Sequence, residues 1–156
     1  MQEVYVVLDN VRSAYNVGAI FRTAEGAGVK KIWLAGYTPA PRDRFGRVQP
    51  EIEKTSLGAS TMISWEAVDH LGDVIQSLQA DGVTVVAIEQ TPSALPLAVL
   101  PPVEKIAYVF GNEIAGIPLE TCARCDYVVA LPMMGQKESL NVSVAAGIVL
   151  YHQFIK

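Results

Sequence analysis

The stretch YVVALPMMGQKESLNVSVAAGIVLYHQFIK, Tyr127–Lys156, decides the fold. Tyr127 to Leu131 is a run of β-branched and apolar residues without polar alternation, the pattern of a strand covered on both faces. Pro132 ends it, having no N–H to give to a ladder, and Met133 to Glu138 follow as a loop with Gly135 inside it. Ser139 or Asn141 then offers a side-chain oxygen to the first free N–H groups of a helix. Along that helix Val142, Ala145, Ala146, Val149 and Leu150 repeat at helical spacing, and Val144 and Ile148 make the opposite side apolar too. A helix that is apolar all round needs cover on both sides. A sheet of its own chain can supply one side; the other calls for a second subunit.

Working outward, the chain alternates strands with helices. Val4 to Leu8 predicts a strand, Asp9 to Tyr15 a polar loop, and Asn16 caps a helix running to about Ala27, with Val17, Ile20, Phe21 and Ala24 on its apolar face. Ile32 to Ala35 is the next strand, which completes a βαβ unit of a parallel sheet. Gly36 to Glu53 is rich in Pro, Arg and Gly and reads as a long exposed loop, a length that in compact domains is usually functional or disordered. Its Arg42, Arg44 and Arg47, followed by Lys54, are the densest basic patch in the chain. Further on come a short strand at Met62 to Trp65, a helix from Val68 to Ala80 and a strand at Thr84 to Ile88. A Pro-rich connection from Glu89 to Pro102 leads to a strand at Ile106 to Phe110. A short helix then starts with Pro118 at its first position. The pattern predicts a single α/β domain of five or six strands spanning residues 1–156, with no internal boundary.

Composition narrows the classes. With 51% hydrophobic and 18% charged residues the chain is built to fold. It has no apolar run of membrane-spanning length and no signal-peptide plan at MQEVYVVLDN, so a cytoplasmic location is expected. The net charge of −4 is unevenly spread: residues 1–54 carry eight basic against six acidic residues, and the remainder four against ten. A local basic patch is thus possible on an acidic protein. Cys122 and Cys125 form a CxxC, but His70 and His152 lie in unrelated segments, so no four-ligand metal site is visible and the thiols read as a reduced structural pair.

Three stretches fall at strand-to-helix loops of one parallel sheet, where open sheets bind ligands. They are NVGAIFRTA (Asn16–Ala24), VFGNEIAGI (Val109–Ile117) and LPMMGQKESLNVS (Leu131–Ser143). Arg22 sits among apolar neighbours near a helix start, where an unpaired guanidinium is costly to bury. Gly111 at a strand end admits a close approach to the backbone, and Glu113 sets a carboxylate beside it. In this order the stretches resemble motifs 1, 2 and 3 of the SpoU, or TrmH-like, branch of the SPOUT RNA methyltransferases. KTSLGAS, Lys54–Ser60, also resembles a segment common in that family. The resemblance runs from Val4 to the C-terminus and implies the minimal catalytic form, with no appended RNA-binding domain expected.

That resemblance implies a deep trefoil knot, in which the C-terminal segment threads a loop around residues 109–139. Chain physics alone argues against a knot. It also implies S-adenosylmethionine bound in the knot, a homodimer through the C-terminal helix, and methyl transfer to a ribose 2′-hydroxyl of tRNA or ribosomal RNA. Carried over by position, Arg22 activates the hydroxyl with the help of Asn16, while Glu113, Ser139 and Asn141 complete the site. Ile88, Gly111, Leu131, Ser139 and Leu140 would hold the cofactor, with Gln90 as a further candidate. Arg42, Arg44, Arg47 and Lys54 would meet RNA phosphates. Arginine, with a pKa above ~12, is a poor base in water, so stabilisation of a developing alkoxide is the favoured role for Arg22. Methylation of a base nitrogen and a non-catalytic RNA-binding protein are the alternatives. The NxGxxxR pattern and the SLNVS run favour the ribose, and the joint presence of Arg22, Glu113, Ser139 and Asn141 favours an enzyme.

Overall fold

The structure is a computed structural model and describes residues 1–155. In chain order the strands are β1 (Glu3–Asp9), β2 (Lys31–Ala35), β3 (Ser64–Val68), β4 (Thr84–Ile88), β5 (Leu95–Pro96), β6 (Lys105–Phe110) and β7 (Tyr127–Ala130). The helices are α1 (Ala14–Gly26), α2 (Pro50–Ser56), α3 (Leu71–Ala80), α4 (Leu119–Arg124) and α5 (Val142–Tyr151). The strands pair in parallel as one seven-stranded sheet of order β3-β2-β1-β6-β4-β7-β5. Seven strands replace the expected five or six because β5, two residues long, is too short to leave a periodic trace in the Pro-rich connection.

Both faces of the sheet are covered, which is why its central strands are apolar without alternation. On one face Val4, Val6 and Leu8 of β1 and Tyr108 and Phe110 of β6 pack with Ile20, Phe21 and Ala24 of α1, Ile52 of α2, and Ala146 and Val149 of α5. On the other, Val7, Val85, Ala107 and Val109 pack with Val74, Ile75 and Leu78 of α3 and Cys122 of α4. The first half of the chain builds outward from β1 through β2 to β3. The second half begins at β4 and then fills gaps: β6 enters between β1 and β4, and β7 enters between β4 and β5. The carboxyl ends of β1, β6, β4 and β7 consequently lie side by side at the crevice where the direction of winding reverses, the place open α/β sheets use for ligands.

Several boundaries differ from the sequence reading. Helix α1 begins at Ala14, capped by Ser13, whose hydroxyl accepts from the Asn16 N–H at 3.2 Å. Asn16 is therefore inside the first turn and not the cap. The expected helix from Val68 starts at Leu71, because Val68 pairs with Ala35 as the last residue of β3. The expected loop to Glu53 stops at Gln49, where Pro50 opens α2 and puts Lys54 on a helix. Pro118 precedes α4 as its cap residue. At α5 the two open candidates resolve to Asn141, whose Oδ1 accepts from the Ser143 N–H at 2.9 Å.

Gly18 sets the α1–α2 contact. A Cβ placed there would come within 2.8 Å of the Ile52 carbonyl oxygen and collide with the Thr55 hydroxyl. Thr55 fastens the same contact by donating its hydroxyl to the Tyr15 carbonyl at 3.1 Å. Gly18→Ala is expected to destabilise the fold by about 1–3 kcal/mol, the usual cost of overpacking against backbone. Denaturant melts should show a lower midpoint with an unchanged slope.

Candidate functional site

Each of the three motif stretches contributes a side chain to one hydrogen-bonded junction. Glu113 reaches from the turn after β6 to the start of α1. Its Oε2 accepts from the Arg12 N–H at 2.9 Å, and its Oε1 accepts from the Ser13 N–H at 3.0 Å and from Asn16 Nδ2 at 3.3 Å. Asn16 Oδ1 in turn accepts from Asn141 Nδ2 at 3.3 Å, at the start of α5. A carboxylate facing backbone N–H groups ahead of a helix is favourably placed. Burial alone would raise the Glu113 carboxyl, but the Arg12 and Ser13 N–H groups and the Asn16 amide outweigh it and hold the pKa below its ordinary value. The group is a permanent anion at neutral pH, with both oxygens engaged.

Beside this junction lies a cleft of about 250 Å³. All six residues expected to hold a cofactor line it: Ile88, Gln90, Gly111, Leu131, Ser139 and Leu140. Phe110, Val142 and Ala145 add to its apolar wall. Its charged members are Glu89, Glu113 and Glu138, and among the described residues no Lys, Arg or His lines it. Such a wall disfavours a polyphosphate and suits a ligand with an apolar body and a positive centre. The Ser139 hydroxyl is exposed and makes no hydrogen bond among the described residues.

Gly111 lines the cleft, but its own chain also demands a glycine there. A Cβ would meet the Gly116 carbonyl carbon at 2.7 Å and Ile117 Cγ1 at 2.6 Å. The turn it closes is held by residues the sequence reading passed over. Asn112 Oδ1 accepts from the Ile114 and Ala115 N–H groups at 2.9 and 2.8 Å, an Asx-type turn, and its Nδ2 donates to the Asn10 carbonyl at 2.9 Å. Glu89 Oε2 accepts from the Ile117 N–H at 2.7 Å, and Glu89 Oε1 accepts from the Gln90 N–H at 2.8 Å. Gln90 Nε2 donates to the Leu131 carbonyl at 2.5 Å, fixing the loop after β4 to the end of β7. Asn112 carried a legible signal, an Asn directly after a strand-end glycine. Glu89 and Ser13 carried none beyond their type.

Arg22 departs from expectation. It is the ninth residue of α1 and is exposed. It neither lines the cleft nor bonds to Glu113, Asn16 or Asn141. The cost of burial that singled it out does not apply within one chain. The basic loop is also more ordered than expected. Arg42 donates to the Gly46 carbonyl at 2.9 Å, Arg47 pairs with Asp43 at 2.7 Å, and the Arg44 and Arg47 guanidinium groups lie over the Phe45 ring at 4.8 and 5.1 Å. Cys122 and Cys125 are free. Burial raises the Cys122 thiol and pushes Cys125 up to about 12, so both are poor nucleophiles. Among the described residues no group of three or more His, Cys, Asp or Glu is placed to hold a metal ion, and no helix is long and apolar enough to cross a membrane.

Because the Glu113 pKa is depressed on folding, its stabilising effect is complete above the ordinary value of 4.5 and is lost as pH falls through the folded value. Asp9, buried at the end of β1, moves the other way, raised by burial, and regains stability in acid. The wild-type acid profile therefore mixes the two, while a Glu113→Gln difference isolates one. Glu113→Gln is expected to cost about 1 kcal/mol at neutral pH, below the ~1.5–3 kcal/mol of buried hydrogen bonds to a charged group because the carboxylate is only partly buried. Thermal melts should show the gap closing well below pH 4.5.

Comparison with known proteins places the chain in a family. A 23S rRNA (guanosine-2'-O-)-methyltransferase RlmB of Coxiella burnetii is 37% identical over 146 residues, covering 94% of this chain and 56% of that protein. An AdoMet-bound rRNA methyltransferase from Sinorhizobium meliloti superposes with a TM-score of 0.87 at 30% identity, over 99% of this chain and 57% of that one. The A. aeolicus TrmH/SpoU tRNA modifying enzyme superposes with a TM-score of 0.83 at 26% identity, over 97% and 73% of the two chains. The chain thus spans little more than half the length of the curated relatives it matches. Residues 3–151 match the family described as SpoU rRNA Methylase, a span that includes all three motif stretches, and the chain belongs to that family.

Proposed function

We propose that this protein transfers the methyl group of S-adenosylmethionine to a ribose 2′-hydroxyl of tRNA or ribosomal RNA. The observation that carries the reading is the Glu113–Asn16–Asn141 junction, which joins the three motif stretches beside a cleft walled by apolar side chains and carboxylates. The Coxiella relative named for guanosine 2'-O methylation of 23S rRNA and the AdoMet-bound Sinorhizobium structure support it. The cofactor supplies an electrophilic methyl on a positive sulfur, for which the lining without Lys or Arg is suited. Ile88, Leu131 and Leu140 enclose its apolar part, the Gly111 backbone closes one wall, and Gln90 ties the loop after β4 to the end of β7. The interleaved order β4-β7-β5 supports a trefoil knot around this cleft.

The remaining work is alignment of the attacking oxygen and disposal of its proton. Asn16 and Asn141 would fix the geometry, and the Ser139 hydroxyl, on the cleft lining, would be available to the reacting group. Arg22 supplies positive charge for the developing alkoxide and its phosphate. Its exposure on α1, which packs against α5, fits a site completed by a second copy. Val144 and Ile148 of α5 are 50% and 44% exposed, an apolar face that a homodimer would cover. Arg42, Arg44, Arg47 and Lys54 meet RNA phosphates in this reading, and the protein works on cytoplasmic RNA.

The direct test incubates the protein with labelled S-adenosylmethionine and separated cellular tRNA and rRNA, then maps the labelled nucleotide. Label on a ribose 2′-oxygen is expected; label on a base nitrogen overturns the acceptor. Arg22→Ala should lower the rate at saturating RNA by ~100-fold or more, the scale of one positioned acid–base or oxyanion group. Its melting temperature and cofactor affinity should not change. Wild-type turnover with weaker RNA binding would make Arg22 a phosphate clamp. A specific dimer buries upward of ~1,000 Å², so Ile148→Glu should shift sedimentation from dimer to monomer and abolish methylation together. A monomeric wild type would remove the second copy from the site.

A further inference from the structure

On the other side of the Asn112–Gly116 turn from the cleft lies a second, wider cavity of about 710 Å³, lined by Arg12, Ser13, Tyr37, Asn112, Glu113 and Ile114. Asn112, Glu113 and Ile114 line both cavities, so one turn is the wall between them. Tyr37 is 61% exposed, yet it is fixed at both ends. Its phenol oxygen accepts from Asn112 Nδ2 at 2.8 Å, and its backbone N–H donates to Asn10 Oδ1 at 3.0 Å. Asn10 takes a left-handed φ of 53° to do this, an uncommon conformation for a residue other than glycine. The neighbouring Gly36 leaves room for that amide, since a Cβ there would collide with the Asn10 side chain. The result is an aromatic ring held in place while much of its surface remains open to solvent.

The rest of the cavity has matching chemistry. Ile114 is 87% exposed, and the Arg12 guanidinium has no hydrogen bond or ion pair among the described residues. We propose that this cavity receives an unpaired nucleobase of the RNA, stacked on Tyr37 and bounded by Ile114, with Arg12 taking an adjacent phosphate. The proposal rests on the methyltransferase reading for its orientation: a nucleotide held here has its ribose at the shared wall, facing the cofactor cleft. Stacking on an aromatic ring is open to any base because every base has a π-face. It requires an unpaired nucleotide, because a paired base has no free face to offer. The Glu113 carboxylate in the shared wall repels phosphate, so the phosphate stays at the rim with Arg12.

The test titrates a short single-stranded oligoribonucleotide containing 2-aminopurine, whose fluorescence is quenched on stacking, into the full chain saturated with S-adenosylhomocysteine. Quenching is expected with the wild type. With Tyr37→Ala it should vanish and RNA affinity should fall by about tenfold or more, the scale of one lost base–aromatic stack. Tyr37→Phe, which keeps the ring, should restore most of both. Arg12→Gln keeps the backbone N–H that Glu113 uses, so it should retain the quench but weaken binding and flatten its salt dependence. Equal quench and affinity in Tyr37→Ala overturn the proposal. So does a Tyr37→Ala variant whose sedimentation changes while its RNA binding does not, which assigns the ring to a contact between copies. Calorimetry with S-adenosylmethionine separates the two readings. A wild type that neither binds it nor methylates, yet shows Tyr37-dependent quenching, keeps the nucleobase site and loses the enzyme. An active wild type matched by Tyr37→Ala in quench, affinity and rate loses only the nucleobase site.

Discussion

The geometry of the site depends on one carboxylate. Glu113 is a hundred residues from Ser13, yet the two are 3.0 Å apart as acceptor and donor, and the same side chain orients Asn16, which orients Asn141. Without it, the turn after β6, the start of α1 and the start of α5 would be held near one another only by the packing of the elements behind them. Packing sets positions to within a side chain's play; hydrogen bonds to a fixed anion set direction as well. The same carboxylate borders both cavities, so the shape of each depends on its being ionised and satisfied.

Around that anchor the chain ties its loops with other acidic and amide side chains. Glu89 closes the 112–117 turn from below, Asn112 closes it from within, and Asn10 reaches across from β1 to the loop after β2. Each sits one or two residues past its own strand end, so little flexible chain separates the hydrogen bond from a rigid sheet. The site is therefore loop-built but sheet-supported, as preorganisation requires. The glycines at 111 and 116 belong to the same device. Gly111 lets the turn fold back on itself at a distance that no side chain would allow, and Gly116, at a φ of 68°, leaves room for the Glu89 carboxylate.

What the sequence made legible follows from which signals are local. Strands β1, β2, β4, β6 and β7 were evident because burial on both faces writes a continuous apolar run. The cleft residues were evident because strand-end loops of a parallel sheet share one edge, and the motif resemblance assigned them roles. Asn16 was misplaced as a cap because Ser13, three residues earlier, has equal capping chemistry and the tie is decided by Glu113, which is remote in sequence. Arg22 has apolar neighbours in sequence, but helical period and burial are different questions, and the side of α1 that carries it stays exposed. Glu89 was invisible for the same reason as Ser13: its partner, the Ile117 N–H, is brought to it only by the insertion of β6 beside β4.

The filling order of the sheet bears on how the chain reaches its native state. Strands β1, β2 and β3 are neighbours in space in the order of their synthesis, so the amino-terminal half can zip as it emerges. The other half cannot, because β4 has no finished neighbour until β6 arrives to join it to β1, and β5 at the sheet edge touches only β7. Until residue 130 is available, β4 and β5 must be kept apart with a strand's width of unpaired backbone between them. Such late, non-local pairings are slow to form and leave open edges exposed meanwhile. The carboxyl-terminal half is thus the kinetic bottleneck of the molecule and the stretch in which a stalled or shortened nascent chain would be most prone to aggregate.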